Sequence, residues 1–478
     1  MKSVSITTLL FLGLVTAKPA DELVKELPGQ ATFDFGVYSG YVPIPGTTKN
    51  IHYLLDESQR DWKNDPLIIW YNGGPGCSSM LGWIQEHGPY VLDDGATAFR
   101  KNDYSWNKEA NILYIEQPAS VGYSWCDWEN HKEDCTFDDN SSGYDNLIVI
   151  LEWFEKYPEY KNHELYISGE SYAGIYVPYV VNQIHHHNVV NKKNPNVYKP
   201  NLQGFMVGNG VTNWKYDTET AFIDMAYWHS LYSQQTYEGM QKNNCDWTGI
   251  PFGKNSTEPC MELFNKFSDD VEDIDVYNIF GVCWGLSDDG TKKAYSPHER
   301  GLVKVGNEIK SYKKVWTAKD YTPWLKQRLG ELPPCVYGDP ILAYLNSAEV
   351  RTALHIPTQY KAWDMCNSDS FDYTMLEIGS QWIYESLKGQ YRMLHFSGDV
   401  DGAVPTIGTY NWIQTMNRTV LEDYRPYFIP GQAEPAGYIE EYDGLTFATV
   451  HGAGHMAPQF KPAETYHLIF NWVNQRKI

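Results

Sequence analysis

Six short runs of apolar residues constrain this chain more than any other feature: PLIIWYN (66–72), NILYIEQP (111–118), ELYISG (164–169), LQGFMVGNG (202–210), YRMLHFSGD (391–399) and LTFATVHGAG (445–454). Most are nearly continuous and not alternating. A sheet with one wet face reads as alternation, whereas strands buried on both faces of a parallel sheet read as unbroken apolar runs. Between them, GYDNLIVILEWFEKYPEY (143–160) has helical spacing, with Leu147, Ile150, Leu151 and Phe154 on one side. A second helix is expected just after Ser171. Strand–helix alternation predicts an α/β fold with a mostly parallel central sheet.

Residues 211–335 depart from this rhythm. They lack clear buried-strand runs, are rich in Asp, Lys and Tyr, and hold Cys245, Cys260, Cys283 and Cys335. The reading is an inserted, mostly helical cap tied by disulfides, with the core formed by 18–210 and 336–478. Residues 18–50 are rich in turn formers, including Pro28-Gly29 and Pro43-Ile44-Pro45-Gly46.

The first residues, MKSVSITTLLFLGLVTA, combine Lys2, an apolar run from Ile6 to Val15 and a small-residue ending. This pattern predicts a signal peptide over 1–17, with cleavage after Ala17. No later stretch holds 18 uninterrupted apolar residues, so no membrane anchor is expected. The eight cysteines, an even number in a secreted chain, suggest four disulfides. The absence of any CxxC pair argues against a zinc ribbon. Sequons at Asn140, Asn255 and Asn417 are candidate glycosylation sites. A formal charge of −22 argues against nucleic acid or an anionic membrane as partner. The His185-His186-His187 patch sits at the polar end of the second helix and reads as an exposed helix end, not a metal site.

The chemistry concentrates where strands end. Leu165 to Gly174 runs strand–GESYA–helix, close to the G-x-S-x-G elbow that lifts a serine out of a strained turn. Ser171 is the candidate nucleophile. Such a serine needs a base and a residue that orients it, in the chain order Ser, acid, His. FSGDVDGAVP (396–405) offers Asp399 and Asp401; VHGAGHMAP (450–458) offers His451 and His455. Asp401 is preferred because it lies deeper in its loop, where Asp399 suits turn capping. His455 is preferred because it lies beyond the flexible Gly452-Ala453-Gly454 turn. The two oxyanion donors are expected from the N–H of Tyr172 and from the glycine loop of WYNGGPGCSS (70–79), at Gly74.

In this order, NGGPGCSS, EQPASVGYS (116–124), GESYAG, GDVDGAVP and GAGHMAP resemble the serine carboxypeptidase family. The similarity runs from about Pro28 to the C-terminus. ELVKELPGQ and WDMCN (363–367) are most similar to the cathepsin A and plant-type members. The resemblance implies an α/β-hydrolase fold, the triad Ser171, Asp401 and His455, the oxyanion donors Gly74 and Tyr172, and no cofactor. It implies disulfides Cys77–Cys366, Cys245–Cys260 and Cys283–Cys335, with Cys126–Cys135 as a local addition. It also implies that Trp70, Asn72, Gly73, Glu86 and Glu170 bind the substrate's terminal carboxylate. One departure is Ser120, where the family usually has glycine.

The expected activity is a serine-type carboxypeptidase that acts on peptide and protein C-termini and is favoured at acidic pH. Two carboxylic acids can hold a carboxylate only if they keep a proton between them. The alternatives are an acyltransferase, or a protective or binding protein, on the same scaffold. The expected location is the secretory pathway, ending in a lysosome or vacuole or outside the cell. A homodimer is left open.

Overall fold

The computed structural model describes residues 18–30, 32–93, 96, 98–248, 253, 256–271, 274–281, 284–286, 292–294, 302–305, 308–311, 339–367 and 369–478. The signal-peptide segment, Asn255, Cys283 and Cys335 lie outside them.

All six apolar runs form strands of one ten-stranded sheet. Its members are β1 (Val37–Pro43), β2 (Asn50–Asp56), β3 (Leu67–Tyr71), β4 (Asn111–Ile115), β5 (Leu165–Glu170), β6 (Leu202–Gly208), β7 (Arg392–Gly398), β8 (Val420–Tyr427), β9 (Gly437–Tyr442) and β10 (Leu445–Val450). The spatial order is β1-β2-β4-β3-β5-β6-β7-β10-β9-β8. The six strands foreseen from the sequence are the six central ones, and they pair parallel. The four that were not foreseen flank them and pair antiparallel.

The continuity of the apolar runs follows from burial on both faces. Ile69 and Tyr71 pack in one core with Ile150, Phe154 and Val177. Ile68 and Trp70, the alternate residues of the same strand, pack in another with Leu468 and Ile469. The first face is covered by α1 (Asp139–Lys156) and α2 (Ala173–Val190).

Helix α1 begins and ends four residues earlier than its apolar spacing indicates. Asp138 caps it, accepting from the Ser141 N–H at 2.7 Å, while Ser141 Oγ accepts from the Asp138 N–H at 2.8 Å. Tyr157 ends it just before Pro158, which cannot continue a helix.

Between β6 and β7 the chain leaves the sheet. It forms α3 (Glu219–Trp228), α4 (Gln234–Lys242) and α5 (Glu258–Val271), whose own apolar core includes Phe222, Ile223, Met240, Phe264 and Phe267. This region also holds two short antiparallel hairpins, Trp284–Leu286 with Lys292–Ala294 and Leu302–Val305 with Glu308–Ser311. The expectation of a mostly helical segment did not include them. After residue 339 the chain is again part of the core, with Ile341, Leu345, Val350 and Leu354 buried. It re-enters the sheet only at Arg392.

Candidate active site

Five adjacent parallel strands place side chains at their carboxyl ends, the usual position for a site in an open α/β sheet. Asn72 to Gly74 follow β3, Ser171 follows β5, Asn209 follows β6, Asp401 follows β7 and His455 follows β10.

Ser171 has φ 64°, the left-handed region that a non-glycine residue enters only when its surroundings force it there. Those surroundings are tight. A Cβ on Gly169 would stand 2.4 Å from the Tyr71 carbonyl oxygen, and one on Gly174 would stand 2.3 Å from that of Val211. The small residues of GESYAG therefore let β5, the turn and α2 close on one another.

Asp401 is fully buried and collects four donors. Asn209 Nδ2 donates to Oδ2 at 2.8 Å, the Ala403 N–H to Oδ1 at 2.7 Å, and the Val404 N–H to Oδ2 at 3.1 Å. His455 Nδ1 lies 2.7 Å from Oδ2. That contact fixes the ring, and Nε2 is left buried without a hydrogen-bond partner among the described residues. Asn209 was missed in the sequence. The only signal for it was a polar residue in GNG closing a buried strand, and its Oδ1 also accepts from the Gly398 N–H at 2.9 Å.

The neighbouring pair behaves differently. His451 Nδ1 meets Asp399 Oδ2 at 2.7 Å, but the histidine side chain is 60% exposed. Asp399 also accepts from the Gly452 N–H at 2.6 Å, which is turn capping. The Gly452–Gly454 turn is not simply flexible. The His455 N–H donates to the Tyr277 carbonyl at 2.7 Å. A Cβ on Gly454 would stand 2.1 Å from that oxygen, so glycine is required by a close approach.

Beside Ser171 lies a carboxyl pair. Asn72 Nδ2 donates to Glu86 Oε1 at 3.0 Å and to Glu170 Oε1 at 2.9 Å. Trp70 Nε1 and the Gly82 N–H hold Asn72 Oδ1 at 2.8 and 3.0 Å, so the amide orientation is fixed. Both carboxyls are buried, and among the described residues neither Oε2 has a hydrogen-bond donor. Burial pushes Glu86 up to about 7, offset in part by the Asn72 bond and by His455. Burial, and then the charge of Glu86, pushes Glu170 well above the ordinary range. Two unpartnered acceptors this close are reconciled when one carboxyl keeps its proton and donates to the other.

The glycine loop closes against the Ser171 turn. A Cβ on Gly73 would lie 2.4 Å from the Tyr172 nitrogen and 2.7 Å from Ser171 Cβ. Among the described residues, the Gly74 and Tyr172 amides have no backbone acceptor. One cleft is lined by Asn72, Gly73, Gly74, Glu86, Glu170, Ser171 and His455.

The loop's far end is anchored by the Cys77–Cys366 disulfide. Below it, Ser78 Oγ and Trp363 Nε1 donate to buried Glu116, which also meets His52 Nδ1 at 2.7 Å. Cys126–Cys135 and Cys245–Cys260 are bonded as well. Ser120, at φ 82°, presents its carbonyl to Lys361 Nζ and to Asn367 Nδ2 at 2.5 and 2.7 Å. Asn140 and Asn417 are exposed. His185 meets the Tyr391 hydroxyl and His187 the Tyr198 carbonyl. Among the described residues no cluster could hold a metal ion.

Fold and site together define an α/β-hydrolase with Ser171 and His455 at one cleft and Asp401 buried behind the histidine. A sequence model of the family described as serine carboxypeptidase matches residues 28–475. The chain is 34% identical over 466 residues to putative serine carboxypeptidase-like 30 of Arabidopsis thaliana, covering 96% of this chain and 90% of that protein. It is 31% identical over 497 residues to lysosomal protective protein of Mus musculus, covering 99% of each. Its fold is similar to the crystal structure of Kex1Δp, a prohormone-processing carboxypeptidase from Saccharomyces cerevisiae. The TM-score is 0.68 at 19% identity, over 96% of this chain and 95% of that one. The chain belongs to the serine carboxypeptidase family, and its activity class is that of a serine-type carboxypeptidase.

Proposed function

We propose that this protein removes amino acids from the carboxyl end of peptides through an acyl-enzyme, and that it works best at acidic pH. The observation that carries this reading is the Asn72–Glu86–Glu170 cluster in the cleft of Ser171 and His455. Ser171 Oγ attacks the carbonyl carbon of the last peptide bond while His455 Nε2 takes its proton. Asp401 holds the imidazole by Nδ1, and the Gly74 and Tyr172 N–H groups receive the oxyanion. Collapse breaks the C–N bond, and His455 returns the proton to the leaving amine. Water, activated by the same histidine, then hydrolyses the ester. The departing residue's carboxylate is held by the proton of the glutamate pair, by Asn72 and by the Gly73 N–H, with Trp70 orienting Asn72.

A catalyst for acyl transfer to an alcohol has no need of that carboxylate site, which favours the peptidase. At about pH 5, a synthetic peptide should lose residues one at a time from its carboxyl end, as read by mass spectrometry. Internal cuts, or transfer to an added alcohol with no amino acid released, would contradict the proposal.

Acidic conditions also suit the fold. Burial raises Asp56 to about 8, Glu86 to about 7 and Asp217 to about 7. Unfolded, such groups titrate near 4. At these carboxyls the folded protein therefore binds more protons between about pH 4 and pH 8, and their contribution to stability falls as pH rises through that window. This outweighs an opposite change at buried His87 and His395, which burial holds below the ordinary imidazole range. The thermal midpoint should be higher at about pH 5 than at about pH 8; an equal or lower value would contradict this.

An acidic lysosome or vacuole, or an acidic extracellular space, is the location this favours. The three disulfides among the described residues support a secretory route, and Asn140 and Asn417 are exposed as glycan acceptors would be. Residues 211–335 act as the cap, reaching the site through Tyr277.

A further inference from the structure

We propose that Asp139 is a positioning residue for the oxyanion hole, acting through the phenol of Tyr172. The inference rests on the assignment of the Tyr172 N–H as an oxyanion donor.

Tyr172 has two ends with different tasks. Its main chain follows Ser171 and places the backbone nitrogen beside Gly73. Its ring is fully buried and packs against Tyr176 and Tyr373, with centroids 5.0 and 5.7 Å away. The ring ends on Asp139: the Tyr172 hydroxyl donates to Oδ1 at 2.7 Å. Asp139 is itself 1% exposed and is the first residue of α1, where helix amides favour negative charge. The Tyr373 hydroxyl also donates to Oδ1, at 2.9 Å, and the Leu376 N–H donates to Oδ2 at 2.9 Å.

Helix capping does not account for this carboxylate, because Asp138 already caps α1. Asp139 instead gathers three neutral donors from two other segments. One of those segments pairs Asp372–Thr374 with Thr136–Asp138, immediately before Asp139.

A hydrogen bond to a carboxylate is shorter and about twice as strong as a neutral one, so Asp139 holds the phenol firmly. The strictness of the Gly73 gap shows why that matters. With only 2.4 Å between Tyr172 N and the place a Cβ would occupy, a small rotation of Tyr172 changes where its N–H points. Displacing a catalytic group by about 1 Å can cost 10²-fold, so a partial release should cost about tenfold.

The test is steady-state kinetics on a peptide at about pH 5 for Asp139→Ala, Tyr172→Phe, their double mutant and Ser171→Ala. Each single substitution should lower kcat about tenfold, with KM changed by less than about twofold, because the carboxylate site is untouched. The double mutant should be no slower than the slower single, since both delete the same link. Asp139→Asn, which keeps an acceptor for the phenol, should recover most of kcat. An unchanged kcat in Asp139→Ala, or losses that multiply in the double mutant, would overturn the inference. If Asp139→Ala fails to fold, Tyr172→Phe, which removes one hydroxyl, decides alone: full kcat overturns it. Activity that survives Ser171→Ala would overturn the underlying reading, and this inference with it.

Discussion

Ser171→Ala should lose about 10⁶-fold in kcat, the order seen when the nucleophile of such a triad is removed, and should still bind peptide. Loss of Oγ leaves no group able to form the ester. The surrounding geometry should survive, because the turn is held by backbone contacts. The Ser171 N–H donates to the Gly208 carbonyl at 3.1 Å, and the Val211 and Gly174 N–H groups donate to the Ser171 carbonyl at 3.0 and 2.9 Å. None of these needs the hydroxyl. The donors that recognise the peptide terminus, Asn72 and the glutamate pair, are likewise independent of it. Calorimetric titration of Ser171→Ala with an uncleaved peptide at about pH 5 should give a measurable Kd. Retained hydrolysis would remove Ser171 from the mechanism; lost binding would mean that the turn had collapsed.

The sequence made the centre of the sheet readable and its margins obscure. β3, β5 and β10 are buried on both faces, so β3 is apolar throughout and β5 and β10 read as apolar runs with few polar residues. β8 is an edge strand with a mostly exposed burial pattern, and its LEDYR has no apolar period to detect. β1 and β2 were hidden by the turn formers around Pro43 to Gly46, which mark the hairpin and not a loop region. At the site, residues in short motifs after buried strands were legible, because each motif had a mechanical reason to be small or polar. Asn209 and Asp139 were not. Their partners, Asp401 and Tyr172, are 192 and 33 residues away along the chain, and only the folded sheet brings them together. The choice of Asp401 over Asp399 was made on loop depth. The structure adds a physical difference: Asp401 and its histidine are buried, whereas Asp399 pairs with an exposed one.

The glutamate pair gives the second large effect. Below about pH 7 both buried carboxyls hold their protons, because burial raises both and the charge of Glu86 raises Glu170 further. In that state the pair donates to a bound carboxylate. As pH rises past 7 Glu86 ionises, the pair is left with a single proton to share, and a negative charge then faces the substrate's carboxylate. KM for a peptide should therefore rise about tenfold between pH 5 and pH 8, since about nine-tenths of a group with a pKa near 7 has ionised one unit above it. Catalysis by Ser171 and His455 should not share this dependence. Glu86→Gln leaves one acid and adds an amide donor that does not titrate, so its KM should rise much less over the same range.

The most direct test of this account is KM measured between pH 5 and pH 8 for two peptides, one ending in a free carboxylate and the other in an amide. The account predicts a roughly tenfold rise for the free carboxylate and a flat line for the amide, with the rise largely removed by Glu86→Gln. Parallel curves for the two peptides, or an unchanged rise in the variant, would contradict it.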